Sequence, residues 1–129
     1  MQEIYIFVGM ENNIDETYCS FEVSKLLKEK GFNTGCRYFY HNEKRIESIA
    51  NKYPINSELN NQYSRPTHAL AIEWIRINFG IWIYANMRMQ PDMGGKQWYY
   101  VVDGKATNDR FLSPEDAIDF GLLTTLKMI

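Results

Sequence analysis

Two runs in the second half of the chain constrain the fold most: Ile81-Trp82-Ile83-Tyr84-Ala85-Asn86 and Gln97-Trp98-Tyr99-Tyr100-Val101-Val102, with Pro91-Asp92-Met93-Gly94-Gly95 between them. Both are rich in β-branched and aromatic residues, and the glycine-rich segment reads as a flexible hairpin connection, so the two strands are expected to pair. Asp103-Gly104 closes the second strand. Alternation places Ile81, Ile83 and Ala85 on one face and Trp82 and Tyr84 on the other. A core covered by helices claims the aliphatic side, which leaves Trp and Tyr on the second.

Three helices are expected around these strands. Ser20 is placed to cap a helix running to Lys30, with Val23, Leu26 and Leu27 on one face, charged residues on the other, and Gly31 suited to a left-handed stop. A second helix is expected over Thr67–Phe79, with Pro66 in its first turn, Ser64 or Arg65 as its cap and Gly80 as its stop. It is apolar nearly all round, leaving mainly His68, Glu73 and Arg76 for water, so it reads as a central helix packed on both sides or partly in an interface. The clearest start is Ser113-Pro114-Glu115-Asp116, a cap, a proline at the first helical position and two acids at the positive helix end.

Elsewhere, Ile4–Val8 is a short strand run ended by Asn12-Asn13-Ile14-Asp15. Arg37–His41, a polar turn at Asn42–Arg45 and Ile46–Ile49 form a further candidate hairpin. The stretch from Asn51 to Arg65, with four asparagines and Pro54, reads as a long loop. These elements imply one α+β domain over residues 1–129, a mostly antiparallel sheet built from hairpins with about three helices on one face.

The 15% aromatic content is high for such a domain and needs a reason. Net charge is -2, so the basic footprint of a duplex DNA binder is missing. The N-terminal apolar run is too short for a signal peptide or a membrane span, and the reading is of a soluble cytoplasmic chain with no membrane partner. Cys19 and Cys36 read as free thiols, and with His41 and His68 they fall into no metal-ligand spacing. No metal site and no cofactor are expected.

Catalytic readings are weaker than structural ones throughout. Gly94-Gly95-Lys96 lacks the upstream glycine and the following Ser or Thr of a phosphate loop and precedes a strand. Cys19 near a helix start, with His41 or His68 as base, has no paired signature and reads better as a buried thiol. Glu115 with Asp116 is explained by helix electrostatics, and Glu73 with His68 by a helix surface. Trp74 and Trp98 read as core. What remains is an aromatic sheet face of Trp82 and Tyr84, joined by Tyr99 with Val101 or else by Trp98 with Tyr100, and extended by Tyr38 and Tyr40, of the kind that binds a protein partner or stacks bases; Tyr99 is the residue taken for the site. Arg37, Arg88 and Lys96 near strand ends could add phosphate contacts.

The order Leu26-Leu27-Lys28-Glu29-Lys30-Gly31-Phe32-Asn33, Cys36, Tyr38-Phe39-Tyr40, then Pro66-Thr67 and Trp74-Ile75-Arg76, resembles a family of short uncharacterised proteins encoded by gut-bacterial phages and prophage-like elements. The resemblance runs from about residue 20 to about residue 126 and leaves Met1–Thr17 and Pro91–Gly95 unmatched. It carries no catalytic residues. It implies a setting in which small acidic proteins bind and modulate other proteins, so the expectation is a non-enzymatic binding or modulator protein. A partner protein, or a second copy, ranks ahead of single-stranded nucleic acid.

Overall fold

Helices form where side-chain caps meet apolar periodicity. The computed structural model describes residues 16–129; the expected strand Ile4–Val8 and the turn at Asn12–Asp15 lie outside the described residues. Helix α1 spans Phe21–Glu29. Ser20 Oγ accepts from the Val23 N–H at 3.3 Å, and Gly31, at φ +101°, lets the chain turn back. Helix α2 spans His68–Phe79 and ends on Gly80 in the left-handed region. Helix α3 spans Pro114–Met128, with Ser113 Oγ accepting from the Asp116 N–H at 3.1 Å.

The strands distribute over two antiparallel three-stranded sheets. In the first, β1 (Tyr38–Asn42) lies between β2 (Arg45–Ser48) and β3 (Tyr63–Arg65). In the second, β5 (Gly95–Val102) lies between β4 (Ile83–Gln90) and the short β6 (Lys105–Ala106). The β4–β5 register sets Ile83 opposite Val102, Tyr84 opposite Val101 and Asn86 opposite Tyr99. The β5–β6 turn uses Asp103 and Gly104, both at positive φ, as a tight two-residue hairpin requires.

The α+β class and the three helices match the sequence reading, while four local expectations are revised. The strands form two sheets, one centred on β1 and the other on β5, in place of a single sheet. The cap of α2 is Thr67, whose Oγ1 accepts from the Leu70 N–H at 3.1 Å. Ser64 and Arg65 belong to β3, and the Pro66 carbonyl is used by the Cys19 N–H at 2.9 Å, which holds the helix start back. The central helix is α3, which packs against α1, α2, β4 and β5. On α2, Ala71 and Ile75 face the core, His68 is buried, and Ile77 and Phe79 are exposed.

The fourth revision concerns the Asn51–Arg65 stretch, which carries a short 3-10 turn at Asn56–Glu58 before β3. Buried Asn56 organises it: its Nδ2 donates to the Phe32 carbonyl and its Oδ1 accepts from the Ser64 N–H, both at 2.8 Å. One apolar cluster, including Val23, Leu27, Phe32, Ala71, Ile75, Ile83, Leu122 and Leu126, joins the three helices to the second sheet. Cys19 and Cys36, both free, belong to it. No helix among the described residues is long and apolar enough to cross a membrane.

Candidate functional site

The five aromatic residues singled out in the sequence fall into two groups, because Tyr38 and Tyr40 are in the first sheet and Tyr84 and Tyr99 in the second. The single continuous face is therefore corrected to two separate ones.

On the second sheet, pairing with β5 fixes which side of β4 meets α3. Ile83 is buried toward Gly121 and Tyr100 also packs there, with its hydroxyl 3.3 Å from Thr124 Oγ1. The period of two then sends Tyr84 and its cross-strand neighbours to the other side. Trp82 precedes β4, its N–H donating to Asp103 Oδ1 at 2.9 Å and its carbonyl accepting from the Asp103 N–H at 2.8 Å. That clamp holds the backbone and leaves the indole 59% exposed; Tyr84 is 48% exposed and Tyr99 is half-buried. Two guanidinium groups lie over this aromatic set, Arg76 at 5.2 Å from the Trp82 ring and Arg88 at 4.9 Å from the Tyr99 ring. Arg76 is also paired with Glu73 on α2.

On the first sheet, Tyr40 is only 7% exposed and its hydroxyl donates to the Cys19 carbonyl at 2.7 Å. Its ring meets Phe21 of α1 edge-on at 5.5 Å, and Tyr38 meets Tyr18 edge-on at 5.6 Å. These rings hold the segment before α1 onto the sheet. Tyr40 is thus a packing residue, its phenol pKa raised by burial against the opposing influence of Arg65. Arg65 stands on the same side as Tyr38, which it faces across the β1–β3 pair.

A second polar constellation has no local signature. His68 Nε2 is 2.9 Å from Asp119 Oδ1 on α3, and Nδ1 is 2.8 Å from Thr17 Oγ1. A carboxylate only accepts, so Nε2 donates to Asp119, while Nδ1 shares the second hydrogen bond with the Thr17 hydroxyl. Asp119 Oδ1 also accepts from the Ser20 N–H at 3.0 Å. Burial pushes the Asp119 carboxyl up, but hydrogen bonds from His68 and Ser20 more than offset it, and the net pKa lies below the ordinary carboxyl value. The arrangement superficially resembles a hydroxyl–imidazole–carboxylate relay. Its hydroxyl is a threonine in a segment paired to Pro66–His68 through the Cys19 N–H and Thr17 carbonyl, and it acts as a tie among three parts of the chain.

The thiols are not activated. Burial, then the charge of Asp119, pushes the Cys19 thiol well up, and burial pushes Cys36 to about 11. His68 is occupied by Thr17 and Asp119, while His41 pairs with Glu47 at 3.0 Å and Gln62 at 2.7 Å, so neither serves Cys19. Among the described residues no group of three or more His, Cys, Asp or Glu could hold a metal ion. Comparison of the chain with protein-family models, curated proteins and solved structures finds no match.

Proposed function

We propose that this chain is a small non-enzymatic binding or modulator protein of a phage or mobile element, acting on a protein partner or a second copy through Trp82, Tyr84 and Tyr99. The observation that carries the reading is the exposure of Trp82 and Tyr84 beside a strand whose opposite side is packed on α3. Large aromatics held by a rigid backbone supply contact area at little entropic cost, and interfaces are enriched in them. The Asp103 clamp on Trp82 supplies that rigidity. The resemblance to phage-encoded proteins supports the setting.

The test is the double variant Trp82→Ser, Tyr84→Ser. Both side chains are exposed, so stability should change by no more than about 0.5 kcal/mol. Aromatic anchors at an interface often carry at least ~2 kcal/mol each, so self-association in sedimentation, or recovery of a protein specific to the wild-type bait from bacterial lysate, should be lost. Unfolding of the variant, or binding that survives it, defeats the reading. One observation favours a second reading, single-stranded nucleic acid: the stacking of Arg76 and Arg88 on the aromatic set matches the way such proteins combine cations with rings. Salt-dependent binding of a labelled single-stranded oligonucleotide, abolished by the same variant, would put that reading first.

A further inference from the structure

A cleft of about 310 Å³ opens beside the first sheet, away from the second-sheet aromatics, between the Glu16–Tyr18 segment, the turn at Gly35–Arg37 and Tyr53. Two arginines, Arg37 and Arg65, line it, and among the described residues Glu16 is the only acid that does. Arg65 is half-buried, with its guanidinium 4.3 Å from the Tyr18 ring and 5.7 Å from the Tyr40 ring, and its Nε donates to the Tyr40 hydroxyl at 3.3 Å. Arg37 lies 5.6 Å from the Tyr38 ring. Among the described residues neither arginine has a carboxylate within 4.0 Å, although Arg45 and Arg76 each have one. A partly desolvated guanidinium held over aromatic rings, with no carboxylate beside it among the described residues, is a donor fork for a planar or tetrahedral oxyanion.

The opposite wall is built with equal economy of space. A Cβ at Gly35 would fall 2.8 Å from the Tyr53 carbonyl oxygen, so glycine is what lets that backbone close in, and the Cys36 N–H donates to the Pro54 carbonyl at 3.3 Å alongside. The Tyr53 ring is 62% exposed at the rim of the cleft. It offers a flat apolar ring at the same cleft as the two arginines.

We infer that this cleft binds a small organic phosphate bearing an aromatic ring, in class a nucleoside monophosphate, with the phosphoryl group on Arg65 and Arg37 and the ring against Tyr53. Small-ligand pockets run from about 300 to about 1,000 Å³, and this one is at the low end, which suits a mononucleotide.

The test is calorimetric titration of the full chain with adenosine 5′-monophosphate, inorganic phosphate and adenosine. The monophosphate should bind, inorganic phosphate more weakly, and adenosine weakest. Arg37→Ala, at an exposed position, and Arg65→Met should each weaken the monophosphate by roughly tenfold or more, the loss of a charge-assisted hydrogen bond. Tyr53→Ala should weaken the monophosphate and leave inorganic phosphate unchanged. Because Arg65 is packed on two rings and its replacement can disturb folding, Arg37→Ala decides the matter alone. The inference is overturned if the monophosphate gives no heat at millimolar concentration, if adenosine binds as well as its phosphate, or if Arg37→Ala binds like the wild type. The cleft lies on a different sheet from Trp82 and Tyr84, so the Trp82→Ser, Tyr84→Ser variant should bind the monophosphate normally, and the two readings fail separately.

Discussion

The tie made by His68 and Asp119 sets how this protein responds to acid. Asp119 is held ionised in the folded state by His68 and Ser20, with its pKa below the ordinary carboxyl value despite burial. A carboxyl whose folded pKa is depressed contributes stability that is fully present above its unfolded pKa, about 3.9, and is lost as pH falls through the lower folded value. Asp119→Asn should therefore cost roughly 1.5–3 kcal/mol near pH 6, the worth of a charge-assisted hydrogen bond. The gap to the wild type should close as pH drops below about 4. Urea unfolding between neutral pH and strong acid checks this, and a gap independent of pH would mean that Asp119 acts only through packing. The sequence places His68 on the water side of its helix, and its burial was not legible there. Its partners lie 51 residues away on either side, and no spacing or periodicity encodes such a contact. Cys19 is the contrary case: it reads from the sequence as a buried thiol near a helix start, and it is fully buried, which with the charge of Asp119 raises its pKa. Both thiols should react slowly with a thiol reagent in the native protein and rapidly in denaturant.

At the scale of elements, what was legible was what is local. The caps Ser20 and Ser113, the stops at Gly31 and Gly80 and the period-two runs of β4 and β5 are each decided within a few residues, and they hold. The Asn51–Arg65 stretch lacked such signals because its order comes from one side chain. Asn56 joins the Phe32 carbonyl to the Ser64 N–H and so sets β3 beside β1. Asn56→Ala would bury both groups without partners, at about 1–3 kcal/mol for each. The variant should lose several kcal/mol, enough to unfold a large fraction of a marginal domain, and should release amide protection first in β3 as followed by hydrogen exchange. The cap of α2 is a smaller matter of the same kind: Thr67→Ala should cost ~1 kcal/mol in thermal unfolding. Within the candidate interaction face, Trp82 and Tyr84 were readable from alternation, but the choice of Tyr99 over Trp98 and Tyr100 needed the β4–β5 register, and the separation of Tyr38 and Tyr40 was not readable. Strand partners are chosen over long distances, and any two hairpins in a chain can join one sheet or two.

For the whole molecule, the question is whether two small sheets behave as one folding unit. The shared apolar cluster passes through α3, which touches α1, α2 and the second sheet. The helix comes close to the sheet at Gly121, where an added Cβ would fall 3.1 Å from the Tyr100 Cβ and 3.3 Å from the Ile83 Cγ2. Glycine in mid-helix costs about 1 kcal/mol against alanine, so its presence is explained by the closeness of the sheet rather than by the helix. Gly121→Leu must push α3 off β4 and β5, and overpacking of this kind typically costs about 1–3 kcal/mol. Since α3 also carries Leu122 and Leu126 into the core beside Val23 and Leu27, the displacement is transmitted to the first sheet through α1, which lies against β3. Tryptophan fluorescence, which reports Trp82 and Trp98 at the second sheet and Trp74 on α2, and far-ultraviolet circular dichroism, which averages every element, should therefore show one coincident melting transition in the wild type and one coincident, lower transition in Gly121→Leu. If fluorescence falls at a lower temperature while dichroism retains a separate later step, α3 couples the two sheets more weakly than its packing implies, and each sheet must be treated as a unit with its own stability.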